Sequence, residues 1–206
     1  MFYNKTEDKY VHEGYQFTID GVTYPSSWLN QSTNQEKLDI GLVEVVKTNS
    51  PANTEFYFVN EVLDKDKLTY INTPKDLGSI RELLWNKIKV HRDSLLESGV
   101  KIGDYWFHND VKSRTQWERM ISRSSGTQDS TPYLISNVQV EWQVLGGFSV
   151  PLTTGKIKEV VNGMELNEAI IFNIARTKKS ELESLSIEEL EAYDIYDKFP
   201  KECPYK

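Results

Sequence analysis

The chain has one cysteine among its 206 residues, Cys203. A lone thiol closes no internal disulfide and builds no zinc site, so neither a stapled small scaffold nor a zinc finger is expected. Its place near the end reads as a free thiol on a loose tail. Histidine is almost as scarce: there are three, His12, His91 and His108, and none lies at ligand spacing from another. Long hydrophobic runs are missing too. Nothing approaches the roughly 18 apolar residues of a membrane span, so no membrane partner is expected. The opening, MFYNKTEDKY, lacks the basic-then-apolar form of a signal peptide, which makes the cytoplasm the default site of synthesis. Positive charge is in deficit. Lys and Arg number 24 against 31 Asp and Glu, a net charge of -7, and phosphate contacts need a basic surface, so nucleic acid is not an expected partner.

Catalytic signatures are absent in the same way. There is no Gly-x-Ser-x-Gly elbow and no histidine near Cys203 in sequence. No phosphate loop occurs, and GVTYP at 21–25 is no substitute. Glu188-Glu189 sits in a charged helical stretch and reads as a solvated face. No catalytic residue, metal or cofactor is therefore expected.

What is present suffices for a folded core. Hydrophobic residues make up 38% and charged residues 27%, which rules out compositional disorder. The length allows one sizeable domain or two small ones. The pattern changes at Thr73-Pro74 from period two to period 3.6. That places a β-rich module over 1–73 and a helical domain with hairpins over 74–206, an α+β protein.

In the first module, YQFTIDGVTY (15–24) alternates around Asp20-Gly21, the pair that favours a tight hairpin. STNQEKLDIG (32–41) reads as a short helix with Ser32 as cap, Gln35 as its box partner and Gly41 as stop. LVEVVK (42–47) reads as one strand. EFYFVNEVL and KLTYIN form a second hairpin through Asp64-Lys65-Asp66. In the second domain, 76–98 sets Leu77, Ile80, Leu84, Ile88, His91 and Leu95 on one helical face, with Gly99 as its stop. VKIGDYWFH (100–108) is a hairpin turning at Gly103-Asp104. DVKSRTQWERMISRS follows as a helix with Val111, Trp117, Met120 and Ile121 as its apolar positions. SSGTQDSTPY is a polar loop, and NVQVEWQVLGGFSVPL is a hairpin turning at Gly146-Gly147. Thr153 or Thr154 caps a long helix that Gly163 can kink. SIEELEAYD is a last short helix with a Ser186–Glu189 capping box.

The stretch GVKIGDYWFHNDVKSR concentrates residues that also do chemistry. A metal reading would join His108, Asp110 and Asp104, but lacks a second histidine at ligand spacing. The architectural reading explains each residue more cheaply. Asp110 accepts backbone N–H groups at a helix entrance, Asn109 makes the turn before it, and His108 ends the strand. Arg114 either pairs with Asp110 along the helix or bonds carbonyls of the hairpin; the sequence leaves both open. Tyr105, Trp106 and Phe107 are consecutive, so a strand points Trp106 away from the other two. One large ring then covers a second surface, and Trp142 poses the same question.

Four pieces occur in order: GVKIGDYWFHNDVKSR, Trp142 in a strand, FSVPLTTGKI, and LEAYDIYDKFP. Together, over about 76–200, they resemble a domain of unknown function (family 4376) found in bacteriophage tail proteins. The front part, FTIDGVTYPSSWLNQSTNQEKLDIGLVEVV, resembles a segment common in phage tail-fibre and fibre-assembly proteins, with Trp28, Leu29, Ile40 and Gly41 at the matching places. The family carries no established catalytic residues, so the resemblance implies none here. This chain departs from the family's Ala-rich long helix at Asn162, Gly163, Asn167 and Asn173. The resemblance implies a non-enzymatic virion component of the tail, made in the host cytoplasm, that docks a tail-fibre or baseplate protein; the alternative is a chaperone that binds the fibre transiently. Tyr105, Trp106, Phe107, Trp142 and Trp28 are the candidate partner-binding residues, and Asp110 and Arg114 the structural cap. A homo-oligomer remains open.

Overall fold

A computed structural model describes residues 1–205. The chain is an α+β protein in two compact units, Met1–Asp76 and the remainder from Leu77.

The first unit is built of short strands. β1 (Phe2–Asn4) pairs antiparallel with β2 (Lys9–Val11). β3 (Phe17–Ile19) and β4 (Val22–Tyr24) form the expected hairpin. Its turn residues Asp20 and Gly21 both take positive φ, 49° and 77°, as a tight hairpin with right-handed strand twist requires. Two helices follow, α1 (Trp28–Gln31) and α2 (Asn34–Asp39). The cap of α2 is one residue later than expected: Thr33 Oγ1 accepts the Glu36 N–H at 3.2 Å and Glu36 returns a carboxylate to the Thr33 N–H at 2.7 Å. Ser32 instead ends α1, with its own N–H donated to the Trp28 carbonyl.

The expected strand 42–47 is two strands. β5 (Leu42–Glu44) joins β1, whereas β6 (Val46–Lys47) runs parallel to β8 (Lys67–Pro74) in another sheet. The break lies at Val45, whose N–H still donates to Met1 while that of Val46 donates to Asp66. β7 (Tyr57–Asp64) completes that sheet, whose order is β6-β8-β7, and its pairing with β8 continues through Thr73 and Pro74. Phe2, Val11, Ile19, Leu29 and Leu42 form the buried core of the first unit.

The second unit begins with α3 (Leu77–Ser98), which buries Ile80, Leu84, Ile88 and Leu95. Then come β9 (Val100–Ile102), β10 (Tyr105–Phe107) and α4 (Val111–Arg123). A hairpin that the sequence pattern did not reveal follows: β11 (Leu134–Ile135) and β12 (Val138–Gln139), turning at Ser136 and Asn137, both at positive φ. β13 (Glu141–Gln143) pairs with β14 (Ser149–Pro151). α5 (Thr154–Ser184) is a continuous helix of 31 residues capped by Thr153, and α6 (Ile187–Ala192) carries the expected Ser186–Glu189 box.

The core of this unit packs both hairpins against α4 and α5 and contains Phe107, Trp117, Val144, Leu152, Ile157 and Val160. Val111, expected among the apolar positions of α4, is 79% exposed; it opens the helix on the solvent side. Gly163 lies within α5 without breaking it. It lets β9 come close: a Cβ there would lie 2.0 Å from Ile102 Cδ1. Cys203 is buried, contrary to a thiol on a loose tail, and its Cβ would lie 3.6 Å from a Cβ on Gly99.

Candidate functional site

The stretch from Gly99 to Trp117 joins three helices. α3 ends with unpaired carbonyls, as every helix does, and Leu96 contributes one of them. Asn109, 2% exposed, donates its Nδ2 to that carbonyl at 2.7 Å. The same side chain receives Arg114 Nε on its Oδ1 at 3.0 Å, and its backbone carbonyl takes a second contact at 3.1 Å. Arg114 then reaches across to α5, where Nη1 meets Glu168 Oε2 at 2.5 Å. One polar chain thus runs from α3 through the entrance of α4 to α5. The Arg114 side chain takes neither of the two partners open to it, Asp110 or a carbonyl of the hairpin: it bonds Asn109 in the turn after the hairpin and Glu168, which nothing local signalled because 54 residues separate the pair.

Asp110 caps α4. Ser113 Oγ donates to its Oδ2 at 2.7 Å and the Ser113 N–H to its Oδ1 at 3.0 Å. These bonds to the ionised form hold its carboxyl below the usual aspartate range. Both oxygens are therefore engaged. His108 lies just past β10, half-buried, and Asp104 sits in the exposed β9–β10 turn. Among the described residues no group of three or more His, Cys, Asp or Glu is placed to hold a metal ion. His91 packs edge-on between the rings of Tyr196 and Phe199 at 4.9 and 5.0 Å, with Glu202 3.8 Å from its Nδ1.

The candidate partner-binding aromatics separate into two groups. Phe107 is 0% exposed and leans edge-on against Trp117 at 5.8 Å; it has no surface to offer, and this corrects its assignment as a docking residue. Trp142 is half-buried against Trp117 at 4.4 Å, and Trp28 is half-buried against Tyr24 at 4.8 Å and Phe17 at 5.9 Å. Each gives most of its area to its own core. Tyr105 is 40% exposed. Trp106 points the other way, as strand alternation demands, and lines a cleft of about 250 Å³ with Ser98, Lys101, Asn167 and Lys201.

Another exposed apolar face lies on the β7–β8 hairpin of the first unit. The register sets Phe58 opposite Thr73, Asn60 opposite Ile71 and Val62 opposite Thr69, so Phe58, Val62 and Ile71 share one face. They are 59%, 41% and 50% exposed, whereas Leu68 and Tyr70 on the opposite face are 8% exposed each. The far side of β8 is sealed by β6 and by Asn49, whose side chain pairs with the Tyr70 N–H and carbonyl at 2.7 and 2.8 Å. β7 is the edge strand. The alternation FYFVNEVL announced a strand but not which of its faces stays open.

Fold and site together define a two-unit α+β protein whose second unit is organised by helices and small hairpins around an aromatic core. Residues 79–197, more than half of the chain, match the family described as a domain of unknown function (DUF4376), and the chain belongs to that family. The match leaves residues 1–78 outside it. No curated protein and no solved structure matches the chain.

Proposed function

We propose that the protein is a non-enzymatic component of a bacteriophage tail, placed at the tail fibre or baseplate, where it works by docking another protein. The observation that carries this reading is the β7–β8 hairpin. It combines an eight-residue edge strand with an open apolar face of Phe58, Val62 and Ile71. Proteins blunt such edges with Lys, Pro or bulges unless the edge has a use. β7 contains neither Lys nor Pro, its charges are Glu61 and the terminal Asp64, and it pairs with β8 in unbroken register. Strand addition to this edge, with the three side chains gripping alternate pockets, is the docking mode it supports. Tyr105 and Trp106 offer a smaller second surface. The four ordered segments that resemble phage tail domains supply the biological setting.

The test is mass spectrometry of purified virions together with co-purification of tail-fibre and baseplate fragments. A stoichiometric virion band, with a fragment retained by the wild type and lost with Val62→Lys plus Ile71→Lys, is the expected result. Absence from virions with misassembled fibres on deletion would instead make it a transient assembly chaperone. Absence from virions with normal fibres on deletion would sink both readings.

A further inference from the structure

The second unit carries a groove of different character. α3 and α5 run antiparallel there: Arg92 on α3 lies over the Phe172 ring at 5.1 Å and Lys179 on α5 over the Trp85 ring at 5.3 Å. Lys89 approaches Trp85 at 5.8 Å. The cleft between them, about 350 Å³, is lined by Trp85, Arg92, Phe172, Ala175, Arg176 and Lys179. Four cations therefore face a trough floored by two aromatic rings. Asp93, bonded to Arg92 at 2.7 Å, is the carboxylate attached to them. Further along, toward the end of α5, the groove passes Arg81 together with Glu82 and Glu183, so the excess of positive charge lies in the half between Trp85 and Arg92.

We propose that this half-groove docks an acidic polypeptide segment of a partner protein, with carboxylates meeting Lys89, Arg176 and Lys179 and an aliphatic or aromatic side chain lying in the trough of Trp85 and Phe172. Charge complementarity is the argument. A cationic, ring-floored cleft on a chain of net charge -7 is a local inversion of sign, and such an inversion selects a partner by its opposite charge. The available length fits a short motif, since Trp85 to Arg92 covers roughly 10 Å of helix axis. Nucleic acid fits less well. A phosphate chain longer than the half-groove would run onto Glu82 and Glu183. The inference does not depend on a phage setting, because the groove belongs to the second unit alone.

The probe is an end-capped peptide of sequence Glu-Leu-Glu-Glu-Leu-Leu-Glu-Glu, titrated into the full chain by calorimetry. The same peptide with lysine for every glutamate and an oligothymidylate of equal charge serve as comparisons. Saturable binding of the acidic peptide is expected, weakened about tenfold by Arg176→Glu with Lys179→Glu and several-fold between about 50 and 300 mM salt. Arg176→Lys with Lys179→Arg should keep it. Both positions are solvent-facing on α5, so the reversed variant is expected to keep the wild-type circular dichroism; if it does not, the salt and lysine-peptide arms decide. No saturable binding up to about 1 mM, equal binding of the lysine peptide, or affinity indifferent to charge reversal overturns the proposal. Tighter binding of the oligothymidylate would reassign the groove to nucleic acid, and a dimer seen by sedimentation and lost on reversal would reassign it to a second copy of this chain.

Discussion

Asn109→Ala tests whether the HND stretch is architecture. The substitution removes the donor that satisfies the Leu96 carbonyl at 2.7 Å and the Oδ1 that accepts Arg114 Nε at 3.0 Å. Each intramolecular bond is worth about 1 kcal/mol net, and a buried group left without a partner costs about 1–3 kcal/mol more. Arg114 loses least, because the backbone carbonyl at 3.1 Å and Glu168 remain. The Leu96 carbonyl loses its side-chain donor at the end of α3. The sum is roughly 2–4 kcal/mol, a large part of the stability of a domain this size. Four of the five tryptophans, Trp85, Trp106, Trp117 and Trp142, lie in the second unit, so urea unfolding followed by tryptophan fluorescence reports mainly on it. With a slope of about 1–3 kcal/mol per molar, the midpoint should fall by roughly 1–2 M. Asn109→Asp keeps an acceptor for Arg114 but sets a carboxylate oxygen against the Leu96 carbonyl, and should be no better than alanine at neutral pH. An alanine variant within about 0.5 kcal/mol of wild type, or an aspartate variant as stable as wild type, would refute the junction.

Gly163→Ala gains about 1 kcal/mol of helix propensity but drives a methyl into Ile102 Cδ1, and overpacking of about 1–3 kcal/mol should leave a net loss. Ile102→Val removes that methyl, so in thermal unfolding the double variant should be more stable than the sum of the single changes allows; strict additivity would refute the close approach. Asp110→Ala should cost about 1 kcal/mol of stability as a lost cap. Because the folded carboxyl titrates below its unfolded value, that advantage is full above the ordinary aspartate range and fades as pH falls through the lowered value, so wild type and variant should converge in acid; a gap that persists would show that charge is not involved. Lys178 is 2% exposed, donates to the Asp194 carbonyl at 2.9 Å and lies 4.9 Å from the Tyr193 ring; burial pushes its ammonium pKa down. Lys178→Ala should speed amide exchange over residues 193–197 at least about tenfold, and unchanged exchange would mean that the segment is held by other contacts.

Local signals were the most legible. Asp20-Gly21, Asp110 and the Ser186–Glu189 box act within three or four residues, where turn and cap chemistry is self-contained, and the structure places each as read; for α5 it takes Thr153 of the two caps offered, Thr153 and Thr154. The α2 cap slipped by one because Ser32 and Thr33 are both competent caps and Gln35 and Glu36 both competent partners; only the α1 ending fixed the choice. Strand 42–47 divided because sheet membership depends on Met1 and Asp66, which no local pattern reveals. The fate of the aromatics was equally non-local. Strand alternation fixed which way Trp106 points, but only the packing of α4 decided that Phe107 faces Trp117 rather than solvent. The α3–α5 groove had a faint signal, the spacing of Arg81, Trp85, Lys89 and Arg92 on one helical face, yet the matching face of α5 could be recognised only once the helices were paired.

Cys203 gives the molecule a built-in chemical clock. As the only thiol in this sequence, and a buried one packed beside Gly99, it meets a sulfhydryl reagent only when the packing around it opens. Its modification rate under native conditions therefore counts those openings one molecule at a time. A partner that tightens or loosens the packing at Gly99 would slow or quicken the count without any label being added.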